Sequence, residues 1–570
     1  MGRFDRALAI LASTFSAVRC GPIGTHQLVS LLRWVLVCWV IVFWRLGYLT
    51  LLDPDPAHYS QITLEMLQAR SWLVPLLDGA PFIDKPILFH WLQALSFRLI
   101  GETEFAARLP SALAALALFA TTRWVGIRLW GEAVGERSWL MLATIPATFA
   151  LARLSYLDMV FTAFLFGGIA CLFVATLRGR PNLQYIGYAL LSLAIMTKGP
   201  VALLLVCLLF SLAWATGGES RTAMRSLHWK SGLVGAMLGS SPWFIWMYWQ
   251  FGDQFVREYV LAGNVSYLTQ TRLSASSTNH TFYLLMFLAT FFPWSVVTTG
   301  YAIDTLWRWR NGRGPSVEER LLWAWIVVII AFFTLARFRI DRYIFPAAPA
   351  SCLLAAKAWV SAKNGAGVNE YPVTRVSVFL LALSFAAIGI LLTVNLPVLG
   401  LRIPRAVALL PLALTIGGVA LVVLMIRRRL APPPVLAVPL CMMIVAYGMI
   451  VAAGFPVLEQ VRPTRQLAHW LRVESEPCNV ALYRLERWRA SLRYYARCPL
   501  QRLNDEDEVR GFLAASRRGR IVMLREEYDA LSRVGIDGRV AFVVPAVTRT
   551  SGWGIRRQIW SDVVIVTAVD

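Results

Sequence analysis

Long apolar runs separated by short polar loops fill the chain up to about residue 454. A helix that spans a bilayer needs about 20 mostly apolar residues, and about thirteen runs approach or reach that length. They lie near Leu28–Leu51, Leu109–Trp130, Trp139–Leu154, Met159–Thr176, Tyr185–Thr197, Val201–Ala215, Gly232–Trp249, Phe282–Trp307, Leu321–Leu335, Tyr343–Val360, Val378–Leu396, Ala406–Ile426 and Val435–Gly454. The pattern predicts an all-α polytopic membrane protein with about 13 transmembrane helices. The first run is too long for the apolar core of a cleavable signal, so we expect it to remain as an anchor.

The pattern changes at residue 455 and becomes that of a soluble domain. Helical periodicity marks PTRQLAHWLR and NDEDEVRGFLAAS, and strand-like runs occur at NVALYRL, RIVML, VAFVV and DVVIVTAV. The sequence therefore predicts two domains, a membrane domain at 1–454 and a small α/β domain at 455–570. Cys478 and Cys498 both fall in this second domain, where a disulfide is chemically allowed but not required.

Composition predicts the class of protein, and the distribution of charge predicts the orientation of the chain in the membrane. Hydrophobic residues make up 57% of the 570 residues, and the mean hydropathy of +0.58 exceeds what a soluble domain could bury. The net charge of +22 is concentrated in alternate loops, which the positive-inside rule places in the cytoplasm. These basic residues are Arg3, Arg6, Arg33, Arg178, Arg180, Arg221, Arg225, Lys230, Arg308, Arg310, Arg313, Arg427, Arg428 and Arg429. The amino terminus is then cytoplasmic and the carboxy-terminal domain lies outside. No nucleic-acid-binding motif accompanies the charge.

Ionisable residues at the ends of spanning segments are costly and tend to be functional. On the outward side they are Asp53, Asp55, Asp84, Lys85, Arg153, Asp158, Lys198, Arg257, Arg337, Arg339, Asp341 and Arg342. Since their loops share one side of the membrane, these side chains can converge on one cavity. Cations there would neutralise a phosphate, and a carboxylate would accept a proton or orient a nucleophile.

Structural explanations compete for several of these residues. Asp55 could cap the helix that follows it, Lys85 could be an anchor that extends its ammonium to the interface, and the basic cluster from Arg337 to Arg342 could belong to a cytoplasmic loop. Asp158 is harder to explain in this way, because a buried unpaired carboxylate is expensive. The outward helices HYSQITLEMLQAR, PILFHWLQALSFRLI and FVREYVLAGNV are expected to lie in the membrane interface with a polar face.

The first outward loop carries the most specific motifs: DPAHYSQ, EML, WLVPLLDGAPFIDKP, HWLQAL and GETEFAARLPSAL. Further along the chain come TKGP at 197–200, SPWF at 241–244, the Pro293–Trp294 pair and RYIFPAAPA from Arg342. Together they resemble the polyprenyl-phosphate-sugar glycosyltransferases of the GT-C superfold. The bacterial lipid A 4-amino-4-deoxy-L-arabinose transferases are the nearest group, and the protein O-mannosyltransferases are related.

The resemblance implies roles for individual residues. Asp55 matches the acid needed for catalysis, and Asp158 matches a second carboxylate of the cavity. Lys85 resembles the lysine that contacts the donor phosphate, while the loop with Arg337, Arg339 and Tyr343 resembles the one near the lipid phosphate. The predicted substrate-binding set is Tyr59, Asp84, Lys85, Arg153, Lys198, Arg337, Arg339 and Tyr343.

The implied activity is inverting transfer of aminoarabinose from undecaprenyl phosphate to a lipid A phosphate at the periplasmic face of a bacterial inner membrane. Such a modification gives resistance to polymyxin and other cationic peptides. Asp55–Pro56 replaces the usual Asp-Glu of the family, and Asp84 replaces a Glu, which leaves another sugar with a protein or glycolipid acceptor open. A lipid transporter is a further alternative, although the sequence contains no inverted repeat. No cofactor is implied with certainty, and an assisting divalent cation is left open.

Overall fold

The computed structural model describes residues 25–266, 280–363, 372–395, 405–427, 436–474, 478–485, 488–516, 518–551 and 557–568. Several positions used in the sequence analysis lie outside these residues: Arg3, Arg6, Arg428, Arg429 and most of the segment between 267 and 280.

Helices form the body of the protein. The α-helices are Thr25–Cys38, Asp55–Gln68, Leu88–Ile100, Glu104–Trp130, Glu132–Ala143, Pro146–Arg153, Leu157–Leu177, Leu183–Lys198, Val201–Ala215, Gly218–Arg225, Trp229–Phe251, Asp253–Phe255, Phe282–Thr290, Trp294–Arg310, Val317–Leu335, Ala348–Lys363, Pro372–Asn395, Arg405–Arg427, Ala437–Met449 and Phe455–Gln460. Trp39–Phe43, Val256–Val265 and Ile450–Gly454 are π-helical, and Asp341–Ala347 is a 3₁₀ helix. Each of the thirteen apolar runs overlaps one or two of these helices.

The number of spans is less simple than the number of runs. Six of the described helices are long and apolar enough to cross a membrane, and a seventh span results if Phe282–Thr290 and Trp294–Arg310, which meet at 120°, count as one. The third run is also divided, because Pro146 lacks an amide hydrogen and begins a new helix. The protein is therefore a mostly helical polytopic membrane protein, and the count of thirteen spans stays a prediction.

Two buried arginines support the irregular segment that leads to the first outward loop. Arg108 donates to the carbonyl oxygens of Leu46, Leu49 and Thr50 at 2.7, 2.8 and 3.0 Å. Arg153 donates to the carbonyls of residues 41, 42 and 44. Backbone groups at membrane depth have no water to bind, so these guanidinium groups replace the missing intrahelical partners.

The Asp55–Gln68 helix departs from the interfacial helix that its sequence predicts. Nine of its fourteen residues are buried, on several faces. The reason is that the Arg489–Ala496 helix packs against it, and Leu51, Ala57, Leu64 and Tyr494 share one apolar cluster. The Leu88–Ile100 helix fits the prediction better, since Leu95 and Leu99 remain exposed.

The carboxy-terminal residues form one five-stranded sheet with helices. From one edge the strands are Leu500–Leu503, Val480–Tyr483, Arg520–Leu524, Arg557–Thr567 and Arg539–Ser551, the first three parallel and the last two antiparallel. The helices are Thr464–Glu474, Arg489–Ala496, Glu506–Ala515 and Arg525–Arg533. All the helices and strands predicted here are present, and a disulfide joins Cys478 to Cys498. The domain boundary at residue 454 stays a prediction.

Asp53 links the first outward loop to this carboxy-terminal region. Its Oδ1 accepts a hydrogen bond of 2.9 Å from the amide of Ser491, and its Oδ2 accepts one from the Ser491 hydroxyl. Burial raises the pKa of Asp53 from 3.8 to about 6, despite the opposing effect of these hydrogen bonds. The folded protein therefore holds this proton more tightly than the unfolded chain does.

We expect Asp53→Asn to reduce the pH dependence of stability. Because the folded-state pKa is the higher one, the stabilisation from Asp53 is complete below pH 3.8 and disappears as the pH rises through about 6. The gap between the two pKa values corresponds to about 3 kcal/mol. Thermal unfolding in detergent at pH 5 and pH 7.5 should show a smaller difference for the variant than for the wild type. Asp529→Asn, at a half-exposed helix position, should leave that difference unchanged, and an equal change in both variants would contradict the assignment.

Candidate active site

Four charged side chains from four separate elements of the structure meet in one cluster. The Arg342 guanidinium donates from Nε to Asp158 Oδ2 at 3.1 Å and from Nη2 to Asp55. Lys198 donates from Nζ to the other oxygen of Asp158. Asp158 is 5% exposed, and a carboxylate at that depth requires such partners. The cluster holds two carboxylates and two cations in direct contact.

Local structure explains how each member is placed. Asp55 and Asp158 lie in the first turns of the helices Asp55–Gln68 and Leu157–Leu177, where the positive end of the helix dipole favours a carboxylate. Lys198 ends its helix, and Gly199 follows with a φ of +87°. Pro54, rather than Asp55, occupies the N-cap position, so the Asp55 carboxylate is directed to Arg342 and not to its own helix.

A second ion pair lies near this cluster. Lys85 Nζ is 3.0 Å from Asp84 Oδ2. A Cβ atom on Gly263 would lie 2.9 Å from Asp84 Oδ1, so glycine at 263 permits the close approach of the Val256–Val265 segment. The predicted pair of Asp84 and Lys85 is thus held against the second outward region.

A cavity of about 200 Å³ is lined by one residue of the four-residue cluster, Lys198, and by one residue of the second ion pair, Lys85. Lys85, Lys198 and Tyr343 line it together with apolar side chains that include Leu204, Phe332 and Phe333. The Lys198 ammonium lies 4.4 Å from the centre of the Tyr343 ring, a cation–π contact. A cavity lined by two cations and by aromatic and aliphatic side chains suits an anion attached to an apolar chain.

Tyr59 lies below the cluster and is almost fully buried. Burial raises its pKa well above the ordinary value, and the nearby Asp55 and Asp158 carboxylates add to the effect. Its hydroxyl therefore remains protonated. Tyr59 also makes edge contacts with Phe89 and His90.

Three residues of the predicted set occupy other positions. Arg153 points into the carbonyl groups of residues 41, 42 and 44 and stacks over Phe149 and Phe455. Arg339 donates to the carbonyl of Thr334 at 2.9 Å, and Arg337 is exposed. The structure brings none of the three to the carboxylates or to the cavity wall. The sequence indicates how deep in the membrane such a side chain lies, but not the direction in which it points.

Arg342 is the site residue that the sequence-based set omitted. It belongs to the predicted basic cluster and opens the RYIFP motif, but the resemblance assigned the site near the lipid phosphate to Arg337, Arg339 and Tyr343. The signal that could have selected it is the need of Asp158 for buried cationic partners. Arg342 also lies 4.5 Å from the centre of the Tyr156 ring.

Metal binding has no support among the described residues, where no three His, Cys, Asp or Glu side chains are grouped to hold an ion. His58 lies near Asp55 and Asp84, and its burial lowers its pKa. Its imidazole therefore binds a proton less readily than that of an exposed histidine.

Several solved structures share this fold, in agreement with the resemblance seen in the sequence. ArnT from Cupriavidus metallidurans bound to undecaprenyl phosphate superposes with a TM-score of 0.70 and 20% identity, covering 95% of this chain and 98% of that one. Its apo structure gives a TM-score of 0.72 over 96% of this chain. The archaeal oligosaccharyltransferase AglB from Archaeoglobus fulgidus is more distant, with a TM-score of 0.54, 11% identity and coverage of 89% of this chain and 71% of that one.

Sequence comparisons agree with the structural ones. Residues 84–246 match the family described as dolichyl-phosphate-mannose-protein mannosyltransferase. The chain is 30% identical to an undecaprenyl phosphate-alpha-4-amino-4-deoxy-L-arabinose arabinosyl transferase of Pectobacterium carotovorum over 354 residues, 56% of this chain and 58% of the relative. It is 27% identical to the enzyme of the same description from Aeromonas salmonicida, over 59% of this chain and 61% of the relative. The chain thus aligns with only about three fifths of the length of these relatives.

Proposed function

We propose that this protein transfers 4-amino-4-deoxy-L-arabinose from undecaprenyl phosphate to a phosphate of lipid A at the periplasmic face of the inner membrane. The observation that carries the proposal is the junction of the Asp55–Arg342–Asp158–Lys198 cluster with an apolar cavity that Lys85, Lys198 and Tyr343 line. The cavity suits a lipid phosphate, and the carboxylates lie where a sugar on that phosphate would be placed.

The leaving group in this reaction is undecaprenyl phosphate. Negative charge builds on its phosphate oxygen as the bond to the anomeric carbon breaks, while positive charge builds on the sugar. Lys85 and Lys198 would stabilise the phosphate electrostatically, and the carboxylates would stabilise the sugar. A single displacement by the acceptor inverts the anomeric centre.

The role of Asp55 follows from the acceptor. A lipid A phosphate is already anionic and needs no deprotonation, so Asp55 would orient the acceptor or balance the amine of the sugar. A hydroxyl acceptor would instead need Asp55 as general base. Asp55 is suited to either task, because its side chain is 27% exposed and Asp158 is almost fully enclosed.

The orientation of the chain is part of the same proposal. With the basic loops in the cytoplasm, the amino terminus is cytoplasmic, and the carboxy-terminal α/β region at 455–570 faces the periplasm beside the site. Both lipid substrates then present their polar heads to the boundary where Asp55 lies.

The test is mass spectrometry of lipid A from a Gram-negative host that lacks its own aminoarabinose transferase. The host is compared with and without this gene, with a polymyxin growth assay in parallel. We expect a mass increase that matches aminoarabinose together with restored resistance, and loss of both with Asp55→Asn. Unmodified lipid A, despite confirmed expression and donor supply, would reject the proposed acceptor and direct the search to periplasmic glycoproteins and other glycolipids.

A further inference from the structure

A buried network of hydrogen bonds lies beneath the two carboxylates. Its centre is Gln93, which is fully buried on the Leu88–Ile100 helix. The Gln93 amide nitrogen lies 2.7 Å from Ser155 Oγ, 2.9 Å from the carbonyl oxygen of Ala107 and 3.2 Å from Ser60 Oγ. The Gln93 carbonyl oxygen accepts from Thr63 Oγ1 at 2.6 Å. The two amide hydrogens of Gln93 thus face three acceptors, and its carbonyl oxygen accepts one hydrogen bond.

The partners of Gln93 belong to the segments that carry the catalytic acids. Ser60 and Thr63 lie on the Asp55–Gln68 helix, and Ser60 donates at 2.8 Å to the carbonyl of Pro56, the residue after Asp55. Ser155 lies three residues before Asp158, in the link between two helices. Gln93 therefore bridges the two segments from a third element.

In this network, the donor of each hydrogen bond depends on which atoms donate in the neighbouring bonds. Thr63 has one hydroxyl hydrogen, and its shortest contact is with Gln93 Oε1. The carbonyl oxygen of Tyr59 is a second acceptor, 3.0 Å from Thr63 Oγ1. When Thr63 donates to Gln93, His90 Nδ1, 2.8 Å from Thr63 Oγ1, carries a hydrogen and donates it. His90 Nε2 is buried, with no partner among the described residues, which agrees with an unprotonated nitrogen. A network of buried hydrogen bonds admits fewer arrangements than an apolar core, which tolerates several.

We propose that Gln93 is a positioning residue that fixes the separation of Asp55 and Asp158, so that one guanidinium can bind both. The proposal rests on the proposed function. Gln93 touches neither carboxylate, and it acts through Ser60 and Ser155. A shift of about 1 Å in such a site can cost about 100-fold in rate, so loss of the bridge should affect turnover more than donor binding.

The same helix supplies a matched control. Ser96 donates at 2.7 Å to the carbonyl of Ala106, which lacks its usual intrahelical donor because residue 110 is proline. Ser96→Ala therefore removes a buried hydrogen bond between the Leu88–Ile100 and Glu104–Trp130 helices, which the bond from Gln93 to Ala107 also joins. Its bond does not involve the segments of Asp55 or Asp158.

The experiment measures kcat, the donor KM and the melting temperature of the purified full chain with Gln93→Leu, Ser155→Ala, Ser96→Ala and the two double variants that contain Gln93→Leu. We expect Gln93→Leu to lower kcat by about 100-fold with little change in KM, while Ser96→Ala keeps a kcat close to that of the wild type. Adding Ser155→Ala to Gln93→Leu should cost little more, whereas the effect of Ser96→Ala should simply add. A kcat for Gln93→Leu no lower than that for Ser96→Ala, or a loss explained by melting alone, would overturn the proposal.

Amide hydrogen exchange separates this inference from the proposed function. If the wild-type chain transfers no aminoarabinose, the proposed function fails, and the positioning role is then judged from exchange alone. Gln93→Leu should speed exchange in residues 57–60 and 155–158, and Ser96→Ala should not. Equal exchange in both variants would reject the role of Gln93 whatever the substrate is.

Discussion

Replacing Asp55 with asparagine should lower kcat for sugar transfer by about 100- to 10,000-fold while the protein still folds. Asn retains an oxygen that can accept the hydrogen bond from Arg342, and Asp158 keeps both of its cationic partners. What the variant loses is the negative charge beside Arg342. The measurement is turnover of purified protein with a defined donor and acceptor, together with thermal unfolding.

Asp78→Asn is the matched control for this variant. Asp78 is another acid of the first outward loop, and it pairs with Arg489 at 3.4 Å rather than with the site. It should retain turnover close to that of the wild type. A kcat for Asp55→Asn similar to that of the control would remove Asp55 from the mechanism.

Arg342→Gln should reduce both stability and activity. The variant leaves Asp55 without its guanidinium partner and Asp158 with Lys198 alone. Breaking a buried ion pair by removal of one partner typically costs about 3–5 kcal/mol, so the melting temperature should fall clearly, and sugar transfer should be lost because the two carboxylates are no longer held together. Melting and turnover are measured on the same detergent preparation.

Two further variants separate these effects. Arg342→Gln combined with Asp55→Asn removes the carboxylate that loses its guanidinium partner and leaves the Asp158–Lys198 pair intact, so it should recover part of the stability but not the activity. Arg337→Gln changes an exposed arginine between the buried residues Ala336 and Phe338, and it should leave stability unchanged. A wild-type melting temperature for Arg342→Gln would mean that this guanidinium does not bridge the carboxylates in the membrane.

The elements of this fold follow largely from local sequence. Apolar runs and their periodicity located the helices, because the bilayer leaves few other solutions for an apolar segment. The carboxy-terminal strands were equally visible in VAFVV and DVVIVTAV. The breaks at Pro146 and between Phe282–Thr290 and Trp294–Arg310 were not predicted, since a proline at a helix start and a proline at a kink give similar sequence patterns.

The site was predictable only in part. Asp55, Asp158 and Lys198 were selected because charges at such depth require a reason, and the structure brings them together. Arg342, the common partner of Asp158 and Asp55, lies 184 and 287 residues from them along the chain. No local pattern distinguishes it from the other arginines of its cluster. Arg153 also lies at a suitable depth. Its guanidinium, however, donates hydrogen bonds to the carbonyl oxygens of residues 41, 42 and 44 and does not contact the two acids.

Burial of the Asp55–Gln68 helix shows the same limit. Its sequence has the polar face of an interfacial helix, yet the Arg489–Ala496 helix covers that face, and Glu65 pairs with Arg493 at 2.9 Å. Only the tertiary contact between the first outward loop and the carboxy-terminal region reveals why these polar residues are retained.

The ion pairs of the site also bear on selectivity against small anions. Lys198 and Arg342 each hold a carboxylate of the cluster, and Lys85 holds Asp84. Inorganic phosphate or sulfate would have to compete with these internal carboxylates and would gain nothing from the apolar wall. A phosphate on a long hydrocarbon chain gains the burial energy of that chain as well. Under the proposed function, the site should therefore bind lipid-linked phosphate more tightly than inorganic phosphate or sulfate.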